Sequence, residues 1–206
     1  KPGVLYLVAD NHRNGDDANH LFKSADNGET WTSIAGDLPP NRSLHTVRED
    51  PKNPNLLYLG SEFGLFLSFD GGAHWTELKN NMPRMAFYDL AIHPRDNDLV
   101  LASHNRGIWI LDNVAALQEL SPDVSAKAAH VFSIEEAEQV RLSNPKAHAG
   151  DMIFRGENPP AGAIIDFWLK GPATSISLTI HDASGQEVAK LTPSKNSGLN
   201  RAVWNL

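Results

Sequence analysis

Ser24-Ala25-Asp26-Asn27-Gly28-Glu29-Thr30-Trp31 and Ser68-Phe69-Asp70-Gly71-Gly72-Ala73-His74-Trp75 share one pattern, S-x-D-x-G-x-x-W, and begin 44 residues apart. The pattern has a mechanical logic. An aspartate carboxylate can accept several nearby backbone N–H groups, and glycine tolerates positive φ, so Asp plus Gly makes a tight turn. Ser bonds locally, and Trp is placed to plug the sheet beside that turn. A repeat of this period predicts one small sheet per unit, as in a propeller blade or another array.

The repeat extends outward from these two turns. Gly3-Val4-Leu5-Tyr6-Leu7-Val8-Ala9, Asn55-Leu56-Leu57-Tyr58-Leu59-Gly60 and Asp98-Leu99-Val100-Leu101-Ala102-Ser103 are parallel apolar runs. Asp50-Pro51 and His93-Pro94 introduce the second and third. A second short run follows in each unit: Leu21–Ser24, Leu65–Ser68 and Ile108–Leu111. The third unit has lost the phrase and reads Leu111-Asp112-Asn113. With four antiparallel strands per blade, a to d, the first runs are b strands and the second are c strands. The S-x-D-x-G-x-x-W segments are then c–d turns. Trp31–Ile34 and Trp75–Leu78 are d strands, and Thr46–Glu49 and Tyr88–Ile92 are a strands. Residues 1–120 therefore read as roughly two and a half blades, fewer than the four a closed propeller needs.

Beyond Asn113 the pattern changes. Val114–Leu120 fits a short helix or a closing strand, and residues 121–130 read as a connector. In 131–206, Ala163–Leu169, Ile176–His181, Glu187–Leu191 and Gly198–Leu206 read as short strands, with Asp182-Ala183-Ser184-Gly185 as a hairpin turn. That spacing predicts a small, incomplete immunoglobulin-like β-sandwich. The expected fold class is all-β throughout.

Composition narrows the function. The 206 residues are 41% hydrophobic, carry a formal net charge of −7 and include no cysteine. Without a basic cluster, nucleic acid is not an expected partner. Disulfides, thiolate metal sites and cysteine nucleophiles are excluded. No apolar run is long enough to insert in a membrane. The chain opens on Lys1 and runs into a strand, so it reads as a piece of a longer protein.

The repeated phrase resembles the Asp-box, or bacterial-neuraminidase (BNR) repeat. Val47–Tyr58, Gly60–Phe66 and Asn105–Asp112 extend the likeness to bacterial Asp-box proteins of the glycosyl-hydrolase-like or sortilin-like type. The tail resembles the immunoglobulin-like domain of the flagellar hook-capping type. The resemblance implies an exported, extracellular or periplasmic bacterial protein. It implies no settled activity, because the Asp-box is a folding device. Ser24, Asp26, Gly28 and Trp31, with Ser68, Asp70, Gly72 and Trp75, are accordingly read as structural, and both tryptophans are expected to be buried.

Chemistry is expected at the opposite end of the blades, where b–c and d–a loops meet. The first b–c loop is long, Asp10–His20. Its counterparts are Ser61–Gly64 and Ser103–Gly107. The d–a loops add Arg42, His45, Arg84 and Asp89. His12, Arg13, His45, Glu62, His104 and Arg106 form the candidate ligand-binding set; the plain alternative is a solvated polar loop surface. Arginines at such a mouth could grip a carboxylate through two-point bonds. Glu62 and Asp89 are the catalytic candidates for glycoside hydrolysis, which uses two carboxyl groups about 5–10 Å apart. No metal or other cofactor is expected. Calcium on Asp10, Asp16 and Asp17, with His12 and His20 nearby, is the alternative. Three functions follow: recognition of a glycan or peptide, a glycoside hydrolase completed by residues elsewhere, or a scaffold. The remaining blades, from the same protein or another chain, are expected partners.

Overall fold

The computed structural model describes residues 2–137 and 156–206. The chain divides into two compact units, Lys1–Leu120 and Ser121–Leu206. Both are built from small antiparallel sheets, so the fold is all-β. Part of the expected sandwich, 138–155, lies outside the described residues.

Unit 1 holds three sheets in succession. The first is β1 (Leu5–Asn11), β2 (Asp16–Ser24) and β3 (Thr32–Ser33). The second is a four-stranded meander of β4 (Leu44–Glu49), β5 (Leu57–Ser61), β6 (Gly64–Ser68) and β7 (Thr76–Leu78), hydrogen-bonded in that order. The third is β8 (Phe87–Ile92), β9 (Leu99–Ser103) and β10 (Ile108–Leu111). Strand alternation sends β5 side chains to both faces. Leu57 and Leu59 join Leu21, Leu44, Val47, Phe66 and Trp75 in a core shared with the first sheet. Leu56 and Tyr58 join Leu65, Leu67, Leu90, Leu99 and Leu101 in a core shared with the third. The two central strands of the middle sheet, β5 and β6, are buried on both sides, so apolar residues occupy both faces there, whereas the flanking β4 and β7 keep charged residues.

Contact between the sheets is close. A Cβ on Gly60 would stand 2.5 Å from the Phe87 carbonyl oxygen, so only glycine lets β5 lie there against β8.

The segment after β10 resolves as helix α1 (Ala115–Glu119) rather than a strand. It is tied to the meander by a buried polar network. Asp50, 2% exposed, accepts from the Tyr58 hydroxyl at 2.9 Å, from Gln118 Nε2 at 2.9 Å and from the backbone N–H of Lys52 and Asn53. Burial, then the adjacent Asp50 charge and hydrogen bond, hold the Tyr58 phenol protonated well above its ordinary range.

The two phrases fold alike. Ser24 and Ser68 hydroxyls donate to Asp26 and Asp70 at 2.7 and 2.8 Å, and accept from the N–H of Gly28 and Gly72 at 2.8 Å. The Asp carboxylates accept from the N–H of Thr30 and His74, both at 2.9 Å. The turn needs two successive positive-φ residues, supplied by Asn27-Gly28 and Gly71-Gly72. Hydrogen bonds from the Thr30 side chain and N–H, then from Ser24, hold the Asp26 carboxyl down at about 2.

The Asp70 side chain, first by hydrogen bond and then by charge, raises His74 above its ordinary 6.5. That contribution to stability is complete below the unfolded value and disappears as pH rises through the higher folded one. Melting followed from about pH 6 to about pH 8 is expected to show this loss, and His74→Gln should remove it. An identical pH trend in that variant contradicts the coupling.

One expectation is corrected. Trp75 is 8% exposed, but Trp31 is 41% exposed. Trp75 docks on the preceding repeat, its backbone N–H donating to Asp37 at 2.7 Å and its indole Nε1 to the Ile34 carbonyl at 2.9 Å. Among the described residues, the Trp31 indole bonds its own turn, through Gly28 O. The phrase shapes the turn, but a neighbouring sheet is what buries its tryptophan.

Unit 2 opens with helix α2 (Pro122–Ala126), capped by the Ser121 side chain, inside the stretch read as a connector. Strands β11 (Ala129–Val131), β12 (Ala163–Leu169) and β15 (Gly198–Trp204) form one sheet in the order β11-β12-β15. Strands β13 (Leu178–His181) and β14 (Glu187–Leu191) make a separate hairpin across the predicted Asp182–Gly185 turn. Ala163, Ile165, Phe167 and Leu169 are buried, and Arg201 grips the buried Asp166 through two bonds of 2.8 and 2.9 Å. Trp168 and Trp204 are half-buried.

Candidate functional site

Antiparallel order places the turns. The β5–β6 turn, the β9–β10 turn and the β7–β8 link share the end of unit 1 opposite the S-x-D-x-G-x-x-W turns. There they line a cavity of about 460 Å³ with Glu62, Phe63, Arg84, Met85, Ala86, His104 and Arg106. A second hollow of about 570 Å³ lies beside it, with Arg42, Phe63, Glu77, Lys79 and Arg84 in its wall.

Two β-bulges shape this end. The β4–β5 ladder slips between Leu44 and Thr46, and the β8–β9 ladder between Phe87 and Asp89. The residues left over are His45 and Tyr88. A bulge re-aims its extra side chain, and here the two meet. Their rings stack at 4.1 Å with an 11° interplanar angle, and Tyr88 lies 5.2 Å from the His104 ring. The His45 side chain is 6% exposed and its Nε2 lies 2.9 Å from Glu62 Oε2. Glu62 N–H donates to the Ser43 carbonyl, fixing the turn against the entry to β4.

The arginines are placed by aromatic faces. Arg84 lies 4.6 Å from the Phe63 ring centroid, and Arg42 lies 5.8 Å from Phe63 and 5.6 Å from Phe66. Among the described residues neither these two nor Arg106 forms an ion pair, and Arg42 Nη1 is buried without a hydrogen-bond partner.

Thus the structure brings His45, Glu62, His104 and Arg106 of the candidate set together. It does not bring His12 or Arg13 to the cavity wall. The long first loop is itself hairpin: β1 and β2 extend through it, leaving a single 3-10 turn at His12–Asn14. His12 turns back on Asp10, with 2.7 Å between Nδ1 and Oδ1. Arg13 is exposed on the same turn. Asp16 bonds Asn11 and His20. Of the carboxylates considered for calcium, Asp10 bonds His12 and Asp16 bonds Asn11, Ala18 and His20 of the same hairpin, and no group of three or more metal-ligating side chains occurs among the described residues. Asp89 does not line the cavity with Glu62. Its Oδ1 accepts from Arg48 at 2.7 Å and from the Leu90 N–H at 2.8 Å.

Phe63 and Tyr88 escaped the sequence reading. Phe63 carried a signal, an aromatic residue in a four-residue turn where polar residues would serve. Tyr88 carried none, because a bulge is invisible in a pattern of alternation.

No family model matches the chain, and no curated protein matches it. Among solved structures, one described as an ancestral GH74 enzyme is similar over 89% of this chain and 22% of that chain, with 15% identity and a TM-score of 0.36. This chain therefore spans about a fifth of that protein.

Proposed function

We propose that unit 1 is a set of Asp-box propeller blades, that unit 2 is an immunoglobulin-like accessory domain, and that the pair belongs to an exported protein recognising a glycan or peptide at the Glu62–Arg84–Arg106 cavity. One observation carries the ligand reading. In a chain of net charge −7, Arg84 and Arg106 line one cavity with no carboxylate partner among the described residues. Glu62, the one carboxylate in that wall, is engaged by His45. Unpaired guanidinium groups on a concave surface suit a carboxylate-bearing ligand, held by charge-assisted bonds. Phe63 and Tyr88 offer apolar faces beside them, and His104 and Glu62 can hydrogen-bond hydroxyl or amide groups.

Recognition takes precedence over hydrolysis because the cavity wall offers two guanidinium groups unpaired among the described residues and a carboxylate, Glu62, already engaged by His45, while the other carboxylate considered, Asp89, pairs with Arg48 outside that wall.

The test is a screen of acidic glycans and peptides with free carboxylates. Arg106→Ala and Arg84→Ala are each expected to weaken a hit by about 10- to 100-fold, the worth of a charge-assisted hydrogen bond. Both side chains are exposed, so melting should not change. Equal affinity in wild type and both variants would refute the site.

A further inference from the structure

The two hollows at this end of unit 1 are continuous. Phe63 and Arg84 belong to the walls of both, so together they make one groove from Arg106 across Phe63 to Arg42. His104 and Arg106 line the first hollow alone, and Arg42, Glu77 and Lys79 the second alone.

The second hollow repeats the chemistry of the first. It gathers three cations, Arg42, Lys79 and Arg84, and one carboxylate, Glu77. Lys79 Nζ lies 3.4 Å from Glu77 Oε2, whereas neither arginine has an acidic partner among the described residues. Gly64 makes room for Glu77, since a Cβ there would stand 3.1 Å from Glu77 Oε1. Arg42 is fixed in place. Its backbone N–H donates to Asn19 Oδ1, the Asn19 amide donates to the Pro39 carbonyl, and the guanidinium lies over the Phe63 and Phe66 rings. With Nη1 buried and unbonded, the charge is only partly solvated, which strengthens its pull on an anion entering the hollow.

Each hollow therefore sets unpaired guanidinium groups beside one carboxylate, Glu62 or Glu77. That combination selects the ligand. A carboxylate offers about four lone-pair sites, and a single ion pair leaves most of them open to donors. Acidic peptide side chains bring only further carboxylates, which Glu62 and Glu77 repel. A uronic sugar carries a carboxylate for an arginine and hydroxyl donors for a glutamate on the same ring. Building on the reading of the first cavity as a carboxylate site, we propose that the two hollows are consecutive subsites for a linear acidic oligosaccharide with carboxylates in series. One sugar meets Arg106 and Glu62, a later one meets Arg42 and Glu77, and Arg84 and Phe63 lie between them.

Calorimetric titration with oligomers of galacturonic and of mannuronic acid, one to six units long, tests this against glutamate peptides of equal length. Affinity is expected to rise by about 10- to 100-fold once an oligomer spans both hollows, because the second contact is then intramolecular. Arg42→Met keeps an unbranched apolar stem over Phe63 and Phe66, so it should fold, which melting checks, and it should lose the gain with length. Arg42→Lys retains the charge without the planar fork and should keep part of the gain. Arg106→Ala should weaken oligomers of every length. A gain that survives Arg42→Met, or a wild type whose affinity is independent of length, overturns the second subsite; weakening by Arg106→Ala alone then leaves the first-cavity reading standing. Weakening by Arg42→Met but not by Arg106→Ala refutes the first-cavity reading and the shared groove with it. Glutamate peptides that bind as tightly as uronate oligomers overturn the choice of sugar. So does the absence of binding by both uronate series, while hits among other acidic ligands would still uphold the first cavity.

Discussion

Trp75→Ala is expected to cost about 3–5 kcal/mol of stability, the range for removing a large buried aromatic side chain. Three losses combine. The indole is 8% exposed and belongs to the core between the first and second sheets. Its Nε1–H donates to the Ile34 carbonyl, which would be left without that donor. The turn beneath it is held against the same loop, since a Cβ on Gly72 would stand 2.8 Å from the Ile34 Cβ. The control is internal. Trp31 occupies the same position of the same phrase yet is 41% exposed, so Trp31→Ala in dilute solution is expected to cost about 1 kcal/mol or less. Chemical denaturation of both variants measures the difference. Equal losses would mean that the phrase stabilises through its own turn and that docking between sheets contributes little.

The second large effect is expected at Asp50. Asp50→Ala leaves the Tyr58 hydroxyl, the Gln118 amide and two backbone N–H groups without their acceptor. Tyr58 is fully buried, so water cannot replace the carboxylate there without rearrangement. Removing one partner of such a network costs roughly 3–5 kcal/mol, well above the net worth of one hydrogen bond. Tyr58→Phe removes a single donor and leaves Asp50 with three, so about 1 kcal/mol is expected. Hydrogen exchange should show where the damage falls. Gln118 also exchanges amide hydrogen bonds with Asn97, and its carbonyl accepts from Asn53, so the Asp50 variant should release α1 before it releases the strands. Unchanged protection of Ala115–Glu119 would show that the helix is held by its apolar residues alone.

These two residues mark the boundary of sequence reading. The S-x-D-x-G-x-x-W turns were legible because each is a local object. Its hydrogen bonds close within seven residues, from Ser24 to Thr30 and from Ser68 to His74, and every group that makes them is named in the phrase. Strands β5 and β6 were legible for a related reason: two short apolar runs, Leu56–Leu59 and Leu65–Leu67, lie between Asn55 and Asp70 and are parted by the polar and glycine residues of a turn, a pattern with few alternatives to a buried hairpin. Asp50 was visible only as the residue before Pro51. Nothing local says that it receives Gln118 from 68 residues away.

The candidate site divides along the same line. That Glu62, His104 and Arg106 would meet at one end follows from strand order alone, since hairpin turns of an antiparallel meander alternate ends. That His12 would not join them required the tertiary structure, because the pairing of β1 with β2 continues through the segment expected to be a loop. The His45–Tyr88 stack depended on two register slips, and those answer to long-range packing rather than local preference. The sequence by itself determined the all-β class, the repeat, its turns and the end at which charged side chains collect, because each is encoded within one hairpin. Only the tertiary structure decided which tryptophan is buried, which histidine is pinned and which arginines remain unpaired. Burial and pairing belong to the neighbour that a residue meets, and that neighbour lies outside its own hairpin turn: Ile34 is 41 residues from Trp75, and Glu62 is 17 from His45.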